Sequence, residues 1–208
     1  RFAAEPLHYE EVKALRDLDP WQDEFLVNKL VLAPGGVSEV RFKQDLDQVL
    51  ARILNPYKEC TVSLRDFPRP DMKMGKAGNG RSLIWEVRED EAHIHAGYER
   101  IKSISQMNLA NVQKVLELYS PFLFLLDEEQ RVSTFAEDTS KERKDYIDYI
   151  NHLRKTVEDL NETCPSQVRM QMMRVDATEM NRKLTQCSQD CVDKLLKILA
   201  SRNQDRCV

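Results

Sequence analysis

Apolar positions along most of the chain recur every three or four residues, the spacing that gathers side chains onto one face of a helix. The strongest such stretch runs from Pro165 to Leu199 and carries Val168, Met172, Val175, Met180, Leu184, Cys187, Cys191, Leu195 and Ile198. Pro165 followed by Ser166 and Gln167 reads as a helix start, because proline has no N–H to lose in a first turn and its φ is already helical. No further Pro and no Gly interrupts the run. The pattern therefore predicts one long helix, about 50 Å at roughly 1.5 Å per residue. Its single apolar stripe needs partner helices along its length.

Two such partners are legible. Tyr146, Ile150, Leu153, Val157 and Leu160 form a heptad-like seam, on a helix expected to begin near Thr139 or Ser140 with the hydroxyl as its cap. Upstream, Glu89 to Ser120 carries Ile94, Tyr98, Ile101, Ile104, Leu109, Val112, Val115 and Leu116, with Pro121 as its stop and Gly97 as a weak point. Between them, an apolar run from Phe122 to Leu126 leads into acidic residues and a Ser-Thr-Phe loop. Short connections favour an antiparallel arrangement of the long helices.

Nearer the N-terminus the period changes. Phe25 to Leu32 and Val37 to Phe42 flank Ala33-Pro34-Gly35-Gly36, the signature of a β-hairpin with a longer loop. Such a hairpin is marginal alone and must lie against helices. A short acidic helix is expected from Pro6 to Asp19, with Leu7, Val12, Leu15 and Leu18 on its apolar side. Another helix starts near Gln44, with Leu46, Val49, Leu50 and Ile53 on one face, and Pro56 kinks or ends it. Phe67 to Ser82, with two prolines, three glycines and several cations, reads as a loop or linker, and Leu83 to Val87 as a short extended segment. The expected fold class is mainly α: an elongated antiparallel helical bundle with a small β-hairpin near the N-terminus. The domain reading has three parts: 1–66 as a subdomain of helix, hairpin and helix; 67–88 as linker; and 89–208 as the long-helix bundle.

Composition sharpens this picture. Charged residues make up 32% of the 208 residues against roughly 25% in an ordinary domain, and Gly is scarce at 6, a bias toward solvated helices. The 31 Lys and Arg against 35 Asp and Glu give a net charge of −4, without the basic footprint of a nucleic-acid binder. Five cysteines at irregular spacing, Cys60, Cys164, Cys187, Cys191 and Cys207, form no CxxC pair and point to reduced thiols. The longest purely apolar run, Phe122 to Leu126, falls far short of the ~20 residues a spanning helix needs, so no membrane partner is expected. A start at Arg1 without Met, with no readable targeting signal, suggests a fragment of a larger protein.

Candidate chemistry is sparse. Gly75-Lys76-Ala77-Gly78-Asn79-Gly80-Arg81-Ser82 matches a phosphate-binding loop except that Arg81 stands where Lys belongs. That mechanism needs a strand before the loop and a helix after it, which the flanking residues do not predict. A guanidinium also does not replace a compact ammonium in such a cradle, and a solvated linker is the favoured reading. Cys187 and Cys191, four apart, face one way as metal ligands would, yet both fall on the apolar stripe and have no His nearby. His93 and His95 sit two apart and point to different sides of a helix. Met170, Met172 and Met173 form either an adaptable surface or core filler, with core favoured for Met172. No catalytic, cofactor-binding or metal site is assigned, and no cofactor is expected.

With the helices laid out, TVEDLNETCPSQVRMQMMRVDATEMNRKLTQCSQDCVDKLLKILASR resembles the helical tail of axonemal dynein heavy chains just before the linker domain. The features carrying the likeness are Pro165 and Ser166, the run Val168 to Val175 followed by Asp176, Lys183 with Leu184, and Leu195 to Leu199. FLVNKLVLAPGGVSEVRFKQDLDQVLARIL and YSPFLFLLDEE are similar to the hairpin-to-helix segment and the tyrosine- and leucine-rich turn of the same tail, in the same order. The family's Gly-Leu-Phe is absent where Gln171 to Arg174 stand. The resemblance implies a non-catalytic, force-transmitting piece of a microtubule motor for ciliary or flagellar motility, with an inner-arm type favoured. Its ATP-hydrolysing modules would lie outside this segment. It further implies a place in the cytoskeleton of the axoneme. The implied partners are the linker and motor of the same heavy chain, dynein intermediate or light chains or other axonemal proteins, and indirectly the doublet microtubule. Competing readings are a helical scaffold or coiled-coil module unrelated to motors, and a nucleotide-binding domain using Gly75 to Ser82.

Overall fold

A computed structural model describes residues 26–34, 38–66 and 83–204. Among these residues the chain is mainly helical with one small four-stranded sheet. In chain order the elements are β1 (Leu26–Leu32), β2 (Val40–Phe42), α1 (Leu46–Asp66), α2 (Leu83–Leu118), a 3-10 helix (Ser120–Leu126), α3 (Glu128–Glu137), α4 (Arg143–Thr163), β3 (Gln167–Arg169), β4 (Met173–Asp176) and α5 (Thr178–Gln204). The expected helix from Pro6 to Asp19 and the loop from Phe67 to Ser82, with its phosphate-loop look-alike, lie outside the described residues. No described helix is long and apolar enough to cross a membrane.

The chain divides into two compact units, one containing Asp45–Leu109 and the other containing Leu26–Gln44 and Ala110–Val208. In the first, Asp45 Oδ1 accepts the N–H groups of Asp47 at 2.8 Å and Gln48 at 3.3 Å, satisfying donors that a helix start leaves open. Pro56 sits inside α1 without ending it. Val49, Leu54 and Tyr57 of α1 are buried, as are Ile94 and Ile101 of α2. Gly97 has a structural reason: a Cβ there would stand 3.2 Å from the Tyr57 ring. Leu83 to Val87, expected to be extended, is instead the first turn of α2.

The second unit holds the sheet, in the order β2-β1-β4-β3. The expected hairpin is present: β1 and β2 pair antiparallel, with Leu30 opposite Phe42 and Leu32 opposite Val40. It does not stand alone. Strand β4 joins β1 in parallel, Leu26 opposite Met173 and Asn28 opposite Val175, and β3 pairs antiparallel with β4 at the edge. This corrects the single helix expected from Pro165 to Leu199, because 167–176 is a strand, a turn and a strand, and α5 begins only at Thr178. The spacing of Val168, Met172 and Val175 fits a helix, but burial follows the two-residue period of a strand, with Met173 and Val175 fully buried and Arg174 and Asp176 only partly. Lying between β1 and β3, β4 pairs its backbone on both sides, a complete solution for its polar groups. Asp176 Oδ1 then accepts the Thr178 N–H at 3.1 Å as α5 starts.

Helix α5 packs against α4, α3, the 3-10 helix and β1. The α4 seam is as spaced in the sequence: Tyr146, Ile150, Leu153 and Leu160 are buried, and Val157 is partly so. Met180, Leu184, Cys191, Val192 and Leu195 of α5 are buried with them. Two local expectations change. The Ser-Thr-Phe loop is helical, inside α3. Helix α4 starts at Arg143, and Glu142, not Thr139 or Ser140, caps it in a reciprocal box with Asp145, whose Oδ2 accepts the Glu142 N–H at 2.8 Å. Ser140 is engaged elsewhere, donating its hydroxyl to Asp138 Oδ1 at 2.6 Å.

Candidate functional site

Three helix ends meet in the second unit: the end of α2, the end of α4 and the start of α5. Helix termini leave carbonyls and amides without intrahelical partners, and side chains close these here. The Tyr119 hydroxyl donates to Asn181 Oδ1. The Asn181 amide donates through Nδ2 to the Cys164 carbonyl at 2.9 Å, and the Cys164 thiol donates to the Leu118 carbonyl at 3.3 Å. Since Leu118 adjoins Tyr119, the bonds form a closed ring through α2, α4 and α5. Tyr119 is fully buried and Cys164 nearly so.

Burial raises both groups. The Cys164 thiol is pushed up to about 11, and the Tyr119 phenol rises well above its ordinary range, chiefly through burial and then through the neighbouring thiol, against the opposing bond to Asn181. Both keep their protons at neutral pH, as their roles of hydrogen-bond donor require.

A second polar contact joins α3 to α4. Glu128 is buried, and its Oε1 accepts the Tyr149 hydroxyl. Its Oε2 has no hydrogen-bond partner; Arg131 approaches to 3.9 Å from solvent. Burial drives the carboxyl pKa up, and Arg131 and then His152 oppose that rise. Phe135 stacks on Tyr149 and meets Tyr146 edge to face, its ring centroid 4.9 Å from each.

At the far end of the pair Arg202 donates to the carbonyls of Ala136 and Lys141, both at 3.2 Å, with its guanidinium 5.1 Å from the Tyr146 ring centre. A cation at the end of α3 also suits the negative end of that helix. The Lys194 ammonium reaches Ser133 at 2.7 Å, and the Ser188 hydroxyl donates to the Leu153 carbonyl at 3.2 Å. Helix α5 is therefore tied by polar contacts at its start, middle and end.

The residues singled out in the sequence do not converge. Cys191 is buried and Cys187 partly buried, both as free thiols. Burial first, and then nearby carboxylates including Glu128, push Cys191 up to about 11, the reverse of what a thiolate ligand needs. His93 and His95 are exposed on α2. Met173 is the fully buried member of the methionine cluster, while Met172 is partly buried. Among the described residues no group of three or more His, Cys, Asp or Glu could hold a metal ion. The residues that do form contacts, Tyr119, Asn181, Glu128 and Arg202, carry a faint signal: a tyrosine just before Ser-Pro at a helix end, and an asparagine beside Met180 where the apolar stripe starts. No family model matches the chain, and comparison with curated proteins finds no match.

Proposed function

We propose that this chain is a non-catalytic, force-transmitting tail segment of an axonemal dynein heavy chain, lying just before the linker domain. The observation that carries the reading is the way α5 is fixed: hydrogen bonds to Cys164, Leu153, Ala136 and Lys141 hold it from start to end. An element pinned at several points moves with its neighbours, as a segment passing force along a chain must. The order of sequence features also supports the reading. The Tyr-Ser-Pro turn, the Pro-Ser pair and the Val-Asp before the last helix follow one another as in the dynein tail. We further propose that the whole chain is an elongated antiparallel bundle placed in the ciliary or flagellar cytoskeleton. Its partners would be the linker and motor of its own heavy chain, dynein intermediate or light chains or other axonemal proteins, and indirectly the doublet microtubule. The ATP-hydrolysing modules would lie outside this segment.

Reading the natural transcript beyond the codon for Val208 tests the family. A linker and several phosphate-binding loops with Lys in the motif are expected; a chain ending soon after, or continuing into unrelated sequence, overturns it and favours a scaffold outside motors. Small-angle scattering tests the shape, since a compact chain of this length has a radius of gyration of roughly 17 Å and an elongated one clearly exceeds it. Saturable binding of a fluorescent ATP analogue, lost on Arg81→Ala, would instead support the nucleotide-binding alternative.

A further inference from the structure

The sheet has two unlike faces. Asn28, Leu30, Val40, Phe42, Met173 and Val175 point inward and are buried. The alternate residues point the other way, and half of them are cations: Lys29, Arg41 and Arg169 are exposed, and Arg174 is partly so. Lys43, just past β2, is exposed as well, and its N–H bonds the Lys29 carbonyl at 2.8 Å. In a chain of net charge −4 this concentration of positive charge is local and one-sided.

Its register makes it costly. Arg169 stands directly opposite Arg174 across the β3–β4 pair, and the backbone bond between Lys43 and Lys29 places two lysines at opposed positions across β1 and the end of β2. Like charges at directly opposed positions destabilise a sheet. Asp176, opposite Lys29, is the one acid within the strands; its Oδ1 accepts the Thr178 N–H, and its charge is shared between Lys29 and Arg174, which both help to hold its carboxyl low. The Arg174 Nε is buried without a hydrogen-bond partner. Five cations, Lys29, Arg41, Lys43, Arg169 and Arg174, against the one carboxylate of the strands leave this face short of anions.

We propose that the open face of this sheet is a docking surface for an acidic polypeptide segment, which seats its carboxylates between Arg169 and Arg174 at one side and beside Lys29, Arg41 and Lys43 at the other. The distance from β3 to β2 is three strand spacings of roughly 4.8 Å, about 14 Å, the reach of about four extended residues. Carboxylates match the forked N–H geometry of two adjacent guanidiniums. Val27 and Val31, half-buried among the cations, offer apolar footing for the stems of such side chains. Among the described residues the same face carries no aromatic platforms on which single-stranded nucleic acid stacks and no bulky apolar residues that enter a bilayer. The inference does not depend on the tail reading.

Fluorescence anisotropy of the full 208-residue chain with a labelled octaglutamate peptide at low salt tests it. Saturable binding is expected, weakened at least tenfold by the double variant Arg169→Glu with Arg174→Glu and unchanged by Arg143→Glu with Lys144→Glu on α4. If the first double variant does not fold by circular dichroism, Arg41→Glu with Lys43→Glu carries the same expectation from the other side of the face. Absence of saturable binding, or equal losses in the face and α4 variants, overturns the site. Tighter binding of an oligonucleotide or of phosphatidylserine vesicles than of the peptide, lost in the same face variant, overturns the acidic polypeptide as the partner.

Discussion

The Asn181 side-chain amide donates to the Cys164 carbonyl at 2.9 Å while its oxygen accepts the Tyr119 hydroxyl, so one asparagine bridges the end of α4 and the end of α2. Removing it strands two buried groups at once. Asn181→Ala is expected to cost about 2–4 kcal/mol, from two unsatisfied polar groups of roughly 1–3 kcal/mol each with partial relaxation. Tyr119→Phe, which removes a donor and leaves an acceptor partly solvated, is expected to cost about 1 kcal/mol. Urea titration of both variants and of the double variant measures the coupling. Additive effects would mean that the ring does not act as a unit.

Leu184 lies fully buried on α5, in line with the sequence stripe. Truncation to Ala is expected to cost about 2–5 kcal/mol through lost burial and a residual cavity, lowering the thermal midpoint by roughly 2–4 °C per kcal/mol in a chain of this size. Leu184→Asp is expected to fall further, because a charge would enter an apolar seam without a partner. An unchanged midpoint in the aspartate variant would contradict the placement of α5.

What was legible in the sequence depended on how far away each element's partner lay. The α4 seam and the lower part of α5 are written in local periodicity, and Tyr146 to Leu160 and Met180 to Leu195 sit where the spacing puts them. The hairpin was legible from its turn residues. Strand β4 was not, because Met173 and Val175 also fit a helical period and the deciding neighbour, β1, is supplied from Leu26 to Lys29 at the other end of the sequence. The helix starts were missed for a related reason. Hydroxyls at Thr139 and Ser140 compete with a carboxylate box at Glu142 and Asp145, and spacing alone does not rank them. The polar junction was illegible, since Tyr119, Cys164 and Asn181 come from three separate segments and share no motif.

Glu128 sets a pH dependence whose sign follows from its burial. Its carboxyl pKa is raised in the folded chain, chiefly by burial, so the folded state holds this proton more tightly than the unfolded state does. Stability therefore falls as pH rises from the ordinary glutamate value of 4.5 through the raised folded value, and the loss is complete above it. Glu128→Gln keeps an oxygen for the Tyr149 hydroxyl and removes the ionisation. The variant is expected to melt higher than the parent at pH 7.5, with the difference shrinking toward pH 4.5. Comparing parent and variant at each pH cancels the other titrating groups. A difference that is absent, or constant across the range, would mean that Glu128 is adequately paired when charged.

Asn28 offers a test of the inner face of the sheet. It is fully buried in β1 opposite Val175, and neither side-chain atom has a hydrogen-bond partner. A buried amide without partners costs about 1–3 kcal/mol, and a strand position flanked by Leu30, Met173 and Val175 suits a β-branched apolar residue. Asn28→Val should therefore raise stability by about 1 kcal/mol or more, read as an upward shift of the urea midpoint with an unchanged slope. A lowered midpoint would show that the amide is satisfied in solution by a trapped water, which needs polar partners and a small void beside β1. The interior of the sheet would then be wetter than its apolar neighbours imply.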